Sequence, residues 1–311
     1  MNTMPLLPPD PIAPPRLRPG DTIGLLAPAG PIRDQEAFAN GLRILRDLGL
    51  KVKYAEDLMR ATGYLAGDES RRAQEFHQLW DDREVKALLT VRGGYGCLRL
   101  LPHLDLDLCR RQPKILVGFS DISVLLNAIH GATGLITFHG PNLCSLASAD
   151  RPSLEAFFNI LGRPTLEPIK AAGLEILKPG TARGPLRGGN LASLTHLLAT
   201  PFETDLAEAL LFIEDVNEPA YRIDRMLTQL QQAGRLASLG GLILGTFNDC
   251  GDEEIIWNRA LELFTGQNIP IWAGFPTGHT ARNHILPIGI EAEMDSGSGV
   301  LRFLTPATSG D

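Results

Sequence analysis

The sequence predicts an α/β chain with a parallel sheet covered on both faces, on three observations. Short apolar runs alternate with stretches of helical periodicity through the first half. Turns rich in Gly and Pro separate them. A 44% hydrophobic and 21% charged composition supplies a large core, and 311 residues suit two domains better than one.

The elements follow in order. Residues 22–27 (TIGLLA) read as a strand ending in the turn Pro28-Ala29-Gly30-Pro31. Residues 33–48 place Phe38, Leu42, Leu45 and Leu48 at helix spacing. Residues 52–54 are a short strand, 70–80 a helix and 85–91 (VKALLTV) a buried strand. Residues 114–119 are another strand, 121–129 a helix and 135–138 (LITF) a further strand. Strands joined by helices form parallel sheets buried on both faces, and their reactive groups gather at the strands' C-terminal ends. That rule selects three turns: 28–31, 92–96 and 120–123.

Around residues 167–185 the pattern gives way to Pro168, Gly173, Pro179, Gly180 and Pro185, which reads as a linker. The expected division is a proline-rich lead-in over 1–19, an α/β domain over 20–166, the linker, and a smaller β-rich α+β domain over 186–311. In the last of these, strands are expected at 210–213, 239–244, 287–294 and 300–304, and helices at 221–232 and 253–264. The tail from residue 305 is expected to fray.

Composition excludes some functions. A net charge of -7 offers no basic footprint for nucleic acid. No run approaches the ~20 apolar residues of a membrane span. The start of the chain lacks the basic and apolar regions of a secretion signal, so the expected location is the cytoplasm. Cys97, Cys109, Cys144 and Cys250 form no C-x-x-C pair and read as ordinary buried or half-buried thiols, with Cys144, near His139, the one to test for reactivity. There is no H-E-x-x-H or Cys/His ligand cluster, so neither metal nor cofactor is expected.

The sharpest local feature is residues 115–123 (ILVGFSDIS), where a strand enters a tight turn with Ser120 at its apex and a helix follows. The mechanics are those of a nucleophile elbow, without the second glycine of G-x-S-x-G. The plainer reading is a helix cap by Ser120 or Asp121. Residues 91–96 (VRGGYG) also follow a buried strand. Their glycines allow a close approach of backbone to ligand, and the Gly94 N–H can serve as an oxyanion donor. A nucleophilic serine needs a base and an orienting acid. His279 lies in a Gly- and Pro-rich loop after the apolar run 269–272; His284 is a near rival, and His139 ends a strand beside the same expected cleft. For the acid, Glu214 directly follows the buried run 210–213, with Asp215 and Glu218 as alternatives.

Together these segments resemble the LD-carboxypeptidase family of serine peptidases, which includes muramoyltetrapeptide carboxypeptidases and microcin C immunity peptidases. The resemblance rests on residues 20–31 (GDTIGLLAPAGP), 91–98 (VRGGYGCL), 117–123 (VGFSDIS), 138–142 (FHGPN), 184–191 (GPLRGGNL), 211–227 (LFIEDVNEPAYRIDRML) and 274–279 (GFPTGH). It implies a flavodoxin-like N-terminal domain and a smaller β-rich C-terminal domain with the cleft between them. It also implies Ser120 as nucleophile, His279 as base and Glu214 as its orienting acid, with the N–H groups of Asp121 and Gly94 as oxyanion donors. The implied substrate is a murein tetrapeptide, cut at the L,D bond before its terminal D-alanine during peptidoglycan recycling, and the implied assembly is a homodimer. Arg92, Tyr95, Asn190 and Arg222 are candidates to hold the substrate, and Arg187 is a further possible cation. The alternatives are an immunity-type peptidase acting on peptidyl or aminoacyl nucleotide amides, for which Tyr95 or Trp272 would stack on the base, and an inactive binding module of the same fold.

Overall fold

The computed structural model describes residues 10–310 and contains two sheets. The strands are β1 (Thr22–Leu26), β2 (Lys51–Lys53), β3 (Val85–Thr90), β4 (Ile115–Gly118), β5 (Thr137–His139), β6 (Ile169–Lys170), β7 (Glu175–Lys178), β8 (Thr181–Asn190), β9 (Leu210–Val216), β10 (Gly241–Asn248), β11 (Ile271–Ala273), β12 (Leu286–Ile288), β13 (Glu291–Asp295) and β14 (Val300–Phe303). The first sheet has the order β12-β5-β4-β3-β1-β2. It is parallel except for β12, which runs antiparallel to β5. The second has the order β6-β14-β13-β8-β9-β10-β11-β7. Its four central strands are parallel, and antiparallel strands flank them on both sides.

Burial on both faces explains the uninterrupted apolar runs. Every residue of β4 is buried, and so are the first six of β9. The helices that cover the first sheet carry the expected signals. Asp34 caps the helix Gln35–Asp47 by accepting from the Ala37 N–H at 2.8 Å, and Phe38, Gly41, Leu42 and Leu45 form its buried stripe. Asp68 does the same for Glu69–Asp81. One cap of this kind contributes ~1 kcal/mol.

Four segments differ from expectation. Residues 167–185 are not a free linker: they form β6, β7 and the start of β8, all in the second sheet. The glycines farther along β8 serve close approach rather than flexibility, since a Cβ on Gly188 would collide with the Phe212 carbonyl of β9. The run 287–294 splits, and β12 joins the first sheet while β13 stays in the second. The chain thus returns to the N-terminal layer after leaving it. The lead-in over 1–19, where described, is anchored: Ile12 bridges to Leu135 and Leu17 is buried; residues 1–9 lie outside the described part. The tail does not fray, because Ala307 and Thr308 are fully buried and Ser309 bridges to Pro15.

The two layers are stitched beside the candidate turn 120–123. The Asn127 side chain donates to the Gly188 carbonyl at 2.9 Å, and the Asn190 N–H donates to the Ser123 hydroxyl at 3.0 Å. Helix Ser123–Thr133 of one half is thereby fixed against β8 of the other.

Candidate active site

Ser120 stands where β4 meets helix Ser123–Thr133, with Phe119 extended before it and a single 3-10 turn over Ser120–Ile122 after it. Its φ is 65°, a left-handed conformation for a residue that carries a Cβ. Holding it there costs about 1–3 kcal/mol. Relative to Ser120→Ala, Ser120→Gly should therefore be more stable by about 1 kcal/mol, glycine's unfolded-state entropy offsetting part of the relief; denaturant unfolding of the two variants measures it. The turn 92–96 presses against this apex. A Cβ on Gly93 would lie 2.6 Å from the Ser120 Cβ and 2.8 Å from its Oγ, so only glycine leaves the hydroxyl uncovered. The Gly30 N–H donates to the Gly93 carbonyl at 3.2 Å, which brings the 28–31 turn to the same place. The three turns selected by the strand-end rule do meet.

Glu214 comes from β9 and is completely buried. Its Oε2 lies 2.7 Å from His279 Nδ1. Successive strand residues face opposite ways, so Asp215 points to the other face and accepts from Asn190 Nδ2 and the Ala192 N–H, both at 2.9 Å. Glu218 sits at the surface with Arg222. His279 is carried by the loop after β11. Gly278, with φ 126°, brings that loop so close that a Cβ there would sit 2.9 Å from Glu214 Oε2. His284, the rival imidazole, is part of a different cavity with Asn159 and Arg163.

Electrostatics sharpen the pair. Burial alone would raise the pKa of Glu214, but its interactions with His139 and His279 outweigh that and hold it at about 2. Burial works against charge on His279; the hydrogen bond to Glu214 and the charges of Glu214 and Asp215 win, and its pKa is raised. Ser120 and His279 both line a cleft of about 500 Å³ together with Arg92, Gly94, Phe119, Asn142 and Cys144. No hydrogen bond joins the Ser120 hydroxyl to His279 among the described residues; bonds of this type are often loose in a free site and tighten around substrate.

The other candidates separate. Arg92 lines the cleft, with Nη1 donating to the Pro31 carbonyl at 3.0 Å. Tyr95 does not line it: the ring is exposed and edge-on to Tyr64. Asn190 is buried, its amide spent on Asp215 and on capping the Ser193 N–H. Arg222 is exposed and paired with Glu218. Arg187 faces a separate cavity with His130 and Asp205. The Cys144 thiol is pushed up to about 11 by burial, so little thiolate exists at neutral pH. Sequence reasoning missed Asp34, Glu36 and Asn40, which line the cleft from the first turn and a half of their helix. The Asp34 cap was the one visible signal for that helix start. No group of three or more His, Cys, Asp or Glu side chains fit to hold a metal ion occurs among the described residues, and no described helix is long and apolar enough to cross a membrane.

Family models for the LD-carboxypeptidase N-terminal and C-terminal domains match residues 23–140 and 183–294. The chain belongs to the LD-carboxypeptidase family. Among its relatives, a probable murein peptide carboxypeptidase of Bacillus subtilis is 39% identical over 292 residues, covering 91% of each chain. The LD-carboxypeptidase fold also recurs in solved structures. MccF in complex with glutamyl sulfamoyl guanosine superposes with a TM-score of 0.89 at 26% identity, covering 96% of this chain and 100% of that one. The muramoyltetrapeptide carboxypeptidase of Oxalobacter formigenes gives 0.79 at 28% identity, covering 91% and 97%.

Proposed function

We propose that this protein is a serine LD-carboxypeptidase that releases the terminal D-alanine of murein tetrapeptides through an acyl-enzyme on Ser120. The observation that carries the reading is the 2.7 Å contact between buried Glu214 and His279, at the edge of the cleft that Ser120 lines. Its support in sequence is the relationship to murein peptide carboxypeptidases.

The chemistry follows from the tautomer. Ionised Glu214 accepts from Nδ1–H, which leaves Nε2 of His279 as the basic nitrogen. Nε2 takes the Ser120 proton as Oγ attacks the amide carbon. The oxyanion is held by the N–H groups of Gly94 and Asp121, the latter in the first helical turn, where backbone donors have no partner within the helix. His279 then passes the proton to the leaving amine of D-alanine, and water repeats the cycle on the ester. Arg92, the arginine that lines the cleft, anchors a carboxylate of the substrate.

Three measurements bear on this reading. A base must be neutral to accept a proton, and the pKa of His279 is raised. The acid limb of kcat/KM should therefore have its midpoint above pH 6.5, with activity lost as pH falls through it. Arg92→Ala should lower kcat/KM roughly 10- to 100-fold, chiefly through KM, as expected for loss of a charge-assisted hydrogen bond; steady-state kinetics on the tetrapeptide give the split. The identifying experiment is mass spectrometry of a murein tetrapeptide before and after incubation: loss of one alanine supports the reading, and an unchanged peptide opposes it.

The likeness to MccF favours a second reading, hydrolysis of an aminoacyl nucleotide amide. Base stacking then needs an aromatic surface. Trp272 is fully buried with its Nε1 donating to Ser296 Oγ, and Tyr95 stands outside the cleft, which leaves Phe119 and the His279 imidazole as its rings. Parallel assays on the tetrapeptide and an aminoacyl sulfamoyl nucleotide decide between the two. The proposal also takes the protein as a cytoplasmic homodimer, and light scattering tests the assembly.

A further inference from the structure

Glu214 has two carboxylate oxygens, and the mechanism above uses one. The other, Oε1, is buried with no hydrogen-bond partner. Facing it at 3.7 Å is Nε2 of His139, which is likewise buried with no partner. His139 ends β5 and is fully buried, packed between the rings of Phe119 and Phe212 with centroids 6.2 and 5.1 Å away. At 3.7 Å the pair is a close electrostatic contact, about 0.5–1 Å longer than a formed N–H···O bond. Two orphaned buried polar atoms are costly to leave apart, and each is what the other lacks.

The tautomer can be assigned from the surroundings. Thr277 Oγ1 lies 3.4 Å from His139 Nδ1. If Nδ1 carried the proton, two lone pairs would face each other across the Nε2–Oε1 gap. With the proton on Nε2, that nitrogen donates toward Glu214, and Nδ1 is left as an acceptor beside the Thr277 hydroxyl, which also has the His284 carbonyl at 3.2 Å and Asn283 Oδ1 at 3.4 Å as acceptors.

We propose that His139 is a positioning residue for the reaction: its Nε2–H holds Glu214 Oε1, so that the carboxylate is clamped between two imidazoles with Oε2 trained on His279. The inference rests on the Ser120–His279–Glu214 reading and adds a fourth member from the N-terminal sheet. It gives one role to the buried His of residues 138–142, and it ties β5 of one layer to β9 of the other through the acid itself. Burial, and with it the charge of Glu214, raises the pKa of Asp215 and of Cys250, and neither of those groups is hydrogen-bonded to His139.

The test compares His139→Phe, which keeps a ring without the donor, with His139→Gln, whose amide N–H reaches a similar point. Removing a donor that stabilises the anionic Glu214–His279 pair raises the proton affinity of the pair. In His139→Phe the acid limb of kcat/KM should therefore move up, by at most ~0.7 pH unit, the limit set by one ordinary net hydrogen bond, with a lower plateau. His139→Gln should return the midpoint toward that of the parent. A role in packing alone would lower the plateau of both variants and leave the midpoint in place, and that result would overturn the proposal. The pH dependence of the fluorophosphonate labelling rate is measured alongside, because it needs no peptide substrate. If the parent protein is not labelled at all, the serine mechanism itself fails; if it is labelled and the His139→Phe midpoint does not move, only the role of His139 fails. Should His139→Phe not fold, His139→Leu removes the donor with a smaller apolar side chain; its midpoint should also rise, and an unchanged value contradicts the assignment.

Discussion

Ser120→Ala should reduce turnover of the tetrapeptide by on the order of 10⁶-fold, the loss that follows removal of the nucleophile from a serine peptidase. The residual rate is what oxyanion donors and substrate binding supply without a covalent step. The variant should keep its fold. The Ser120 hydroxyl makes no hydrogen bond to another described residue, and alanine retains the Cβ that the turn already accommodates. Stability within about 0.5 kcal/mol of the parent is the expected companion result. Substrate should still bind, because the cleft walls that include Arg92, Asn142 and the helix beginning at Gln35 are untouched. Calorimetric titration on the alanine variant then reads binding without cleavage. Retained turnover would remove Ser120 from the mechanism.

Glu214→Gln should cost about 10⁴-fold in kcat, as the equivalent change in a Ser-His-Asp triad does. The reason is the tautomer rather than charge alone. A carboxylate can only accept from Nδ1–H, whereas an amide can turn its NH₂ toward Nδ1 and drive the proton onto Nε2, where it blocks the attack. Loss of the negative charge also removes the larger of the two charges that raise the pKa of His279, leaving only that of Asp215. The acid limb should therefore move to lower pH as its height collapses, the opposite direction to that expected for His139→Phe. Finding the limb unmoved would show that Glu214 does not set the basicity of His279.

Much of this site was legible in the sequence, for a physical reason. Parallel strands end where their helices begin, so an apolar run that gives way to Ser or to Gly-Gly marks a strand end on the reactive edge. One that gives way to Glu marks the C-terminal part of a strand, Glu214 lying two residues before the end of β9. Ser120, Gly93–Gly94 and Glu214 were found that way, and the His279 loop was picked out by its glycines. Contacts perpendicular to the strands were not legible. Nothing in the spacing of Asn190 says that its amide is consumed by Asp215, or that Tyr95 pairs with Tyr64 instead of facing the cleft. Residues 167–185 resembled a linker because composition cannot distinguish glycines and prolines of a free connection from those that punctuate short strands, here β6, β7 and the start of β8. Likewise, β12 read as part of one long run with β13, since the turn that sends it to the other sheet spans only Gly289 and Ile290.

Peptide mapping after fluorophosphonate treatment tests the central claim most directly, because it locates the activated hydroxyl without assuming a substrate. The account predicts one adduct, on Ser120, absent from Ser120→Ala and formed far more slowly in Glu214→Gln. An adduct on another residue, or tetrapeptide hydrolysis that continues with Ser120 unlabelled and replaced, would contradict it.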